Sequence, residues 1–264
     1  LGANRAAEVR CAHDRFISEP EVKDKQVVQL MEITMRNLLA AGEIDLSDFL
    51  ARADVLGAVG KTVLISDYFE YCRLAAYLTR YTAEPIAVTM GVASLLDLFS
   101  EPYYTELEGG ILEAFGKLFT KDLRLYVYPL RDDVTGQLKT VDNLGISSAQ
   151  QNLFRHLVER GRIKQLDNID ESILHIFSRD VLKRIKDNDA SGEAMVPPEV
   201  AQMVKERQWF GYRNKESSED AAFAAAGRQG LGQRVESGFT PNPITNVSGG
   251  LVFGSLARTL VPYP

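Results

Sequence analysis

Thr62-Val63-Leu64-Ile65, Pro85-Ile86-Ala87-Val88-Thr89 and Leu123-Arg124-Leu125-Tyr126-Val127-Tyr128 are the three stretches that decide the fold class. Each is a short run rich in β-branched, aromatic or leucine side chains, and each ends at a turn or polar signal: Ser66-Asp67, Met90-Gly91 and Pro129. Runs of this length with no polar alternation predict strands covered on both faces. Between the first two, Tyr68, Tyr71, Cys72, Ala75 and Leu78 recur at helical spacing. Between the second and third, Leu95, Leu96 and Phe99 mark one helix. Ile111, Leu112, Phe115, Leu118 and Phe119 mark another, opening after Gly109-Gly110. Strand, helix, strand, helix, helix, strand is the rhythm of a parallel sheet flanked by helices. The expected class is therefore α/β, Rossmann-like.

Working outward, residues 61–213 form the expected α/β body. Residues 130–146 are expected as loop. A helix carries Leu153, Phe154, Leu157 and Val158, Ile163–Leu166 is a fourth short strand, and helices follow over Ser178–Lys186 and Pro197–Arg207. Residues 1–60 are expected as a helical N-terminal segment packed on that body. Within them Val27, Leu30, Met31, Thr34, Met35 and Leu38 recur at three and four, which predicts an amphipathic helix from Lys25 to Ala41. A second helix is expected after Asp45. Residues 214–264 are expected as an irregular tail, rich in Gly, Ser, Ala, Asn and Pro, with weak apolar clusters at Leu231, Phe239 and Leu251–Phe253. Such a segment buries too little apolar surface on its own to offset the entropy of ordering. A protein partner contacting 214–264 is the expected consequence, with Phe239, Leu251, Phe253 and Tyr263 as anchors.

The chain has 264 residues, 45% of them hydrophobic, and a formal net charge of -6, with the charges interspersed. That balance argues against nucleic acid as a partner, which calls for clustered Lys and Arg. No apolar run approaches the length of a membrane span. Two cysteines and three scattered histidines make neither a disulfide framework nor a zinc cluster, and suggest a soluble protein of a reducing compartment such as the cytoplasm or an organelle interior. The first residue is Leu1 rather than Met, which suggests a processed or trimmed start.

Candidate binding residues follow from the rule that open α/β sheets take ligands beyond the carboxyl ends of their strands. Those ends are Ser66-Asp67, Gly91 and the stretch from Tyr128, which includes Arg131 as an anion contact. No dinucleotide fingerprint and no phosphate-loop motif occurs. Glu108 and Glu113 offer a weaker carboxylate pair for a hydrolase or transferase.

One family resemblance is carried by Ile173-Leu-His-Ile-Phe-Ser-Arg-Asp-Val-Leu-Lys-Arg-Ile185, then Val196-Pro197, Val200, Val204 and Trp209-Phe210-Gly211-Tyr212. This stretch resembles the closing segment of nicotinate/nicotinamide mononucleotide adenylyltransferases, whose pattern there is I-S-S-T-x-[IV]-R, a helix, a Val-Pro pair, a helix and an aromatic end. Residues 1–212 also look like a bacterial protein group that sometimes carries that label. Ile176, Ser178 and Val181 match. Phe177 stands at the first Ser, Arg179 at the Thr and Leu182 at the Arg. The resemblance implies a nucleotidyltransferase-like fold in which Ser178 and Arg179 hold ATP phosphates. The family's GxFxPxHxGH motif is absent, and His13, His156 and His175 lie in no such context. Those histidines stabilise the transferring phosphoryl group in the family. The expectation is therefore a non-catalytic, degenerate nucleotidyltransferase-like binding or assembly subunit. The alternative is an active adenylyltransferase moving AMP from ATP onto a pyridine mononucleotide, for which ATP and Mg²⁺ are the implied cofactors.

Overall fold

A computed structural model describes residues 2–34, 46–68, 70–132 and 134–213, and the backbone of 251–255. The elements run α1 (Ala3–Ile17), β1 (Val28–Thr34), α2 (Leu46–Ala58), β2 (Thr62–Ser66), α3 (Tyr71–Leu78), β3 (Ile86–Gly91), α4 (Val92–Leu98), α5 (Gly110–Leu118) and β4 (Leu123–Tyr128). They continue with β5 (Leu130–Arg131), β6 (Leu138–Lys139), α6 (Gln151–Glu159), β7 (Ile163–Gln165), α7 (Ser178–Lys186), α8 (Pro198–Arg207) and β8 (Leu251–Ser255). Among the described residues, six strands make one sheet in the order β2-β1-β8-β3-β4-β7, and every pair in it is parallel. β5 and β6 form a separate antiparallel ribbon inside the stretch expected as loop.

The sheet is the middle of three layers, as its unbroken apolar strands require. Alternate residues of each strand face opposite sides. Leu30, Ile86, Val88, Met90, Leu123, Leu125 and Val127 face α3, α4, α5 and α6 in the larger core, where Leu74, Leu95, Phe115 and Leu157 meet them. On the other side Phe16 of α1 packs edge-on against Tyr126, with ring centroids 6.3 Å apart. There too Met31 and Ile33 meet Phe49, Ala53 and Leu56 of α2. α7 and α8 lie against the outer side of α2 through Val55, Val181, Val200 and Val204. Gly60, at φ 72°, ends α2 by turning the chain so that the Lys61 N–H donates to the Leu56 carbonyl at 2.9 Å.

Two expectations need correction. The helix expected from Lys25 to Ala41 is strand β1 over Val28–Thr34, and its remainder lies outside the described residues. Both faces of β1 are covered from Leu30 on, so its apolar residues Val28, Leu30, Met31 and Ile33 do not alternate strictly, and such a run matches a helical period by accident. Its Val28, Ile33 and Thr34 are β-branched and favour the strand. The stretch expected as tail contributes β8, paired on both sides: Leu251 to Ser255 run beside Val28 to Glu32, and Leu251 to Gly254 beside Ile86 to Thr89. The sheet thus draws on all three stretches expected as separate regions. Leu251 and Phe253, expected to anchor a partner, lie in a strand of the chain's own sheet, with their backbones between β1 and β3. Phe239 and Tyr263 lie outside the described residues. No helix among the described residues is long and apolar enough to cross a membrane.

Candidate functional site

The connections leaving β1 and β3 diverge. From β1 the chain goes outward to β2 through α2 on one face. From β3 it goes the opposite way to β4 and then β7, through α4 to α6 on the other face. This reversal is a topological switch point, where open α/β sheets bind ligands at the carboxyl edge. With β8 set aside, the order is β2-β1-β3-β4-β7, the pattern of flavodoxin-type sheets rather than the common dinucleotide-binding order. Here β8 occupies the switch point itself.

The polar residues at this edge are arranged on the two faces of the sheet. On the α3 side Glu32 of β1 is fully buried, and the Ser66 hydroxyl at the end of β2 donates to its Oε1 at 2.5 Å. Thr34, also buried, points its hydroxyl at the Tyr68 carbonyl, 3.4 Å away. On the α1 side Glu8 is 4% exposed and accepts from the Thr89 hydroxyl at 3.1 Å and from Arg5 Nη1 at 2.5 Å. A buried carboxylate persists only where hydrogen bonds or opposite charge offset its desolvation. Both glutamates meet that condition. In register, Ser255 of β8 stands beside Glu32 and Gly254 beside Thr89, so the strand at the switch point runs between the two carboxylate-bearing pairs. The Tyr128 hydroxyl closes this edge on β4. Among the described residues it is buried without a hydrogen-bond partner, and burial, then the nearby Cys11 and Glu8, push it up to about 12.

Gly91 is the point where β3 becomes α4 without an intervening loop. It is the N-cap of α4, with extended backbone (φ -75°, ψ 163°), and it offers no side-chain acceptor to the first-turn N–H groups. A Cβ built on it meets no atom within 4 Å. The glycine is therefore not required by its backbone conformation.

Of the residues expected from sequence, Ser66, Asp67 and Gly91 share this edge. Arg131 is committed to its own ribbon: Nη1 donates to the Gly136 carbonyl at 3.0 Å and Nη2 pairs with Glu171. Ser178 opens α7 and lines an apolar cavity, and the N-cap there is Phe177, which makes no side-chain cap bond. Arg179 is exposed, with its guanidinium 5.5 Å from the Phe177 ring centroid. Glu113, half of the weaker carboxylate pair, accepts from the Gly109 N–H at 2.9 Å and from Lys117 at 2.5 Å on the surface. Sequence reasoning missed Glu8, Glu32 and Thr89. Glu32 carried a signal, as the one acid inside Val27–Ile33. Glu8 and Thr89 carried none, because their meeting spans 81 residues.

At the opposite, amino edge, charges are closed on one another. Arg124 pairs with Glu19, Glu21 and Asp122 at 3.1, 3.0 and 2.7 Å, and Lys164 pairs with Glu19 at 2.6 Å. The Tyr126 hydroxyl donates to Glu19 at 2.9 Å. This network ties α1 to β4 and β7.

No protein-family model, no curated protein and no solved structure matches the chain.

Proposed function

We propose that this chain is a Rossmann-like, nucleotidyltransferase-like binding subunit that takes a small phosphorylated ligand at the carboxyl edge of its sheet, beside the C-terminal strand. The observation that carries the reading is the reversal of winding between β1 and β3, beyond whose strand ends open α/β sheets take ligands. Gly91 stands next to that point as the N-cap of α4, and a Cβ built on it meets no described atom within 4 Å. The phosphorylated class of the ligand rests on the resemblance of residues 173–212 to the adenylyltransferase segment. Ser66 and Asp67 lie at the same carboxyl edge, at the end of the outer strand β2. The binding role, rather than transfer chemistry, rests on the lack of the histidine motif and on the placing of Ser178 and Arg179, which stand on α7 and not beside Gly91. An assembly role would act through residues 214–250 and 256–264, which flank β8.

The test is unfolding of the full chain in the presence of ATP, nicotinamide mononucleotide and nicotinate mononucleotide. A ligand at 100 times its Kd adds about 2.7 kcal/mol to stability. Stabilisation without release of pyrophosphate is the expected result. Stabilisation with pyrophosphate and dinucleotide formation would replace this reading with the active adenylyltransferase, requiring ATP and Mg²⁺. No stabilisation by any of the three would remove the phosphorylated-ligand reading.

A further inference from the structure

The helical unit of residues 173–212 encloses a second space, separate from the carboxyl edge. A cavity of about 80 Å³ lies between α2, α7 and α8, walled by Val55, Leu56, Val181, Val200 and Val204 and roofed by Phe210. A single water needs roughly 10–15 Å³ of such volume and two to four polar partners. The cavity is several times larger than that. Among the described residues, Ser178 and Arg52 are the lining residues with polar side chains. Its wall suits hydrocarbon.

The roof is held in an unusual backbone conformation. Phe210 lies at φ 57°, ψ 26°, in the left-handed region, where a bulky aromatic residue is an outlier, and Gln208 before it lies at φ 53°. Conformations of this kind persist only where the surroundings over-determine them, and they concentrate at ligand clamps. Here the surroundings do so. Gly211 at φ 79° packs on the Lys186 stem, Arg207 covers the Trp209 ring at 4.9 Å, and the Asn188 side chain bonds the Arg213 backbone. Arg52 stands beside the roof, its Cζ 5.7 Å from the Phe210 ring centroid, and its Nε donates to Asp48 Oδ2 at 2.7 Å. Among the described residues that bond engages one of the five N–H donors of Arg52. The rest of the fork is the part that recognises carboxylates in pairs of bonds.

We propose that this cavity binds a short-chain aliphatic carboxylate, with the hydrocarbon among the valines under Phe210 and the carboxylate on the Nη groups of Arg52. Asp48 is then a positioning residue for Arg52. The probes are hexanoate, 1-hexanol and hexylamine, titrated into the full chain while methyl resonances of Val181, Val200 and Val204 are followed. Hexanoate should shift those methyls saturably and bind about tenfold tighter than 1-hexanol, the difference expected for hydrogen bonds to a charged group. Arg52→Gln should bring hexanoate to the level of 1-hexanol and leave 1-hexanol unchanged. Val200→Phe should fill the space and abolish both, with the amide spectrum of the sheet retained. Should Val200→Phe fail to fold, the Arg52→Gln comparison decides alone. The proposal is overturned if no probe moves the cavity methyls, if hexylamine binds as well as hexanoate, or if Arg52→Gln leaves the preference for hexanoate intact.

Discussion

β3 and β4 pair over six residues, from Ile86 with Leu123 to Gly91 with Tyr128, and are joined by a local crossover through α4 and α5. β8 also lies against β3, over four residues, yet it comes from the far end of the chain. The difference lies in what each strand holds together. β3, β4 and β7 make a continuous half-sheet by themselves. β1 and β2 make another pair, and among the described residues only β8 joins the two. A short strand at the centre therefore carries the cohesion of the sheet, and it does so at the point where the winding reverses. Local crossovers close small loops at modest entropic cost. A strand delivered from beyond residue 213 closes a longer loop and is rewarded only when both of its edges pair.

Several substitutions would break or sharpen that contrast. Val252→Pro should have the largest effect, because proline removes an N–H from a strand paired on both sides, a place where sheets do not accept it. A loss of about 3 kcal/mol or more is expected in urea unfolding. An unchanged midpoint would mean that β8 is not part of the sheet. Leu125→Ala, in the locally joined half, removes a fully buried side chain and should cost about 3 kcal/mol. Hydrogen exchange in that variant should loosen β1 as well as β3 if β8 makes the two halves one cooperative unit. Loosening of β3 and β4 alone would show two units.

Ser66→Ala tests the carboxyl edge. It removes a hydroxyl donor from the fully buried Glu32 and should cost about 2 kcal/mol, measured the same way. At the amino edge the effect depends on pH. Burial pushes the Glu19 carboxyl up, but hydrogen bonds from Lys164 and Tyr126 and the charges of Lys164 and Arg15 outweigh it and hold the group below the ordinary 4.5. A folded value below the unfolded one gives stability that is present above 4.5 and lost as pH falls through the folded value. Glu19→Gln should therefore flatten the fall of stability below that pH. An unaltered acid slope would show that the network does not carry it. Gly91→Ala should be the mildest for the fold. Its backbone suits any residue and the added Cβ meets nothing, so a gain of about 0.5 kcal/mol is expected from the stiffer unfolded chain. The same change should weaken any phosphorylated ligand seated beside Gly91.

The same contrast explains what the sequence made legible. β2, β3 and β4 announce themselves as bounded apolar runs, and α4 to α8 as stripes at helical spacing, because each signal is contained within one element. β1 does not, since with both faces covered from Leu30 on its apolar residues keep no two-residue period that would distinguish it from a helix. β8 does not, because Leu251-Val252-Phe253 is three apolar residues in a polar surround, and its partners are fixed only by topology. The site divides similarly. Ser66, Asp67 and Gly91 follow from the strand ends, whereas the Glu8–Thr89 pair depends on α1 crossing the sheet over β3.

The central claim is that the C-terminal strand stands between β1 and β3 at the switch point. Backbone nuclear Overhauser contacts in the full chain test it most directly. The register places Phe253 beside Leu30 on one side and beside Val88 on the other, so contacts from Phe253 to both strands are predicted. Contacts directly between the backbones of Leu30 and Val88, with none to Phe253, would contradict the account.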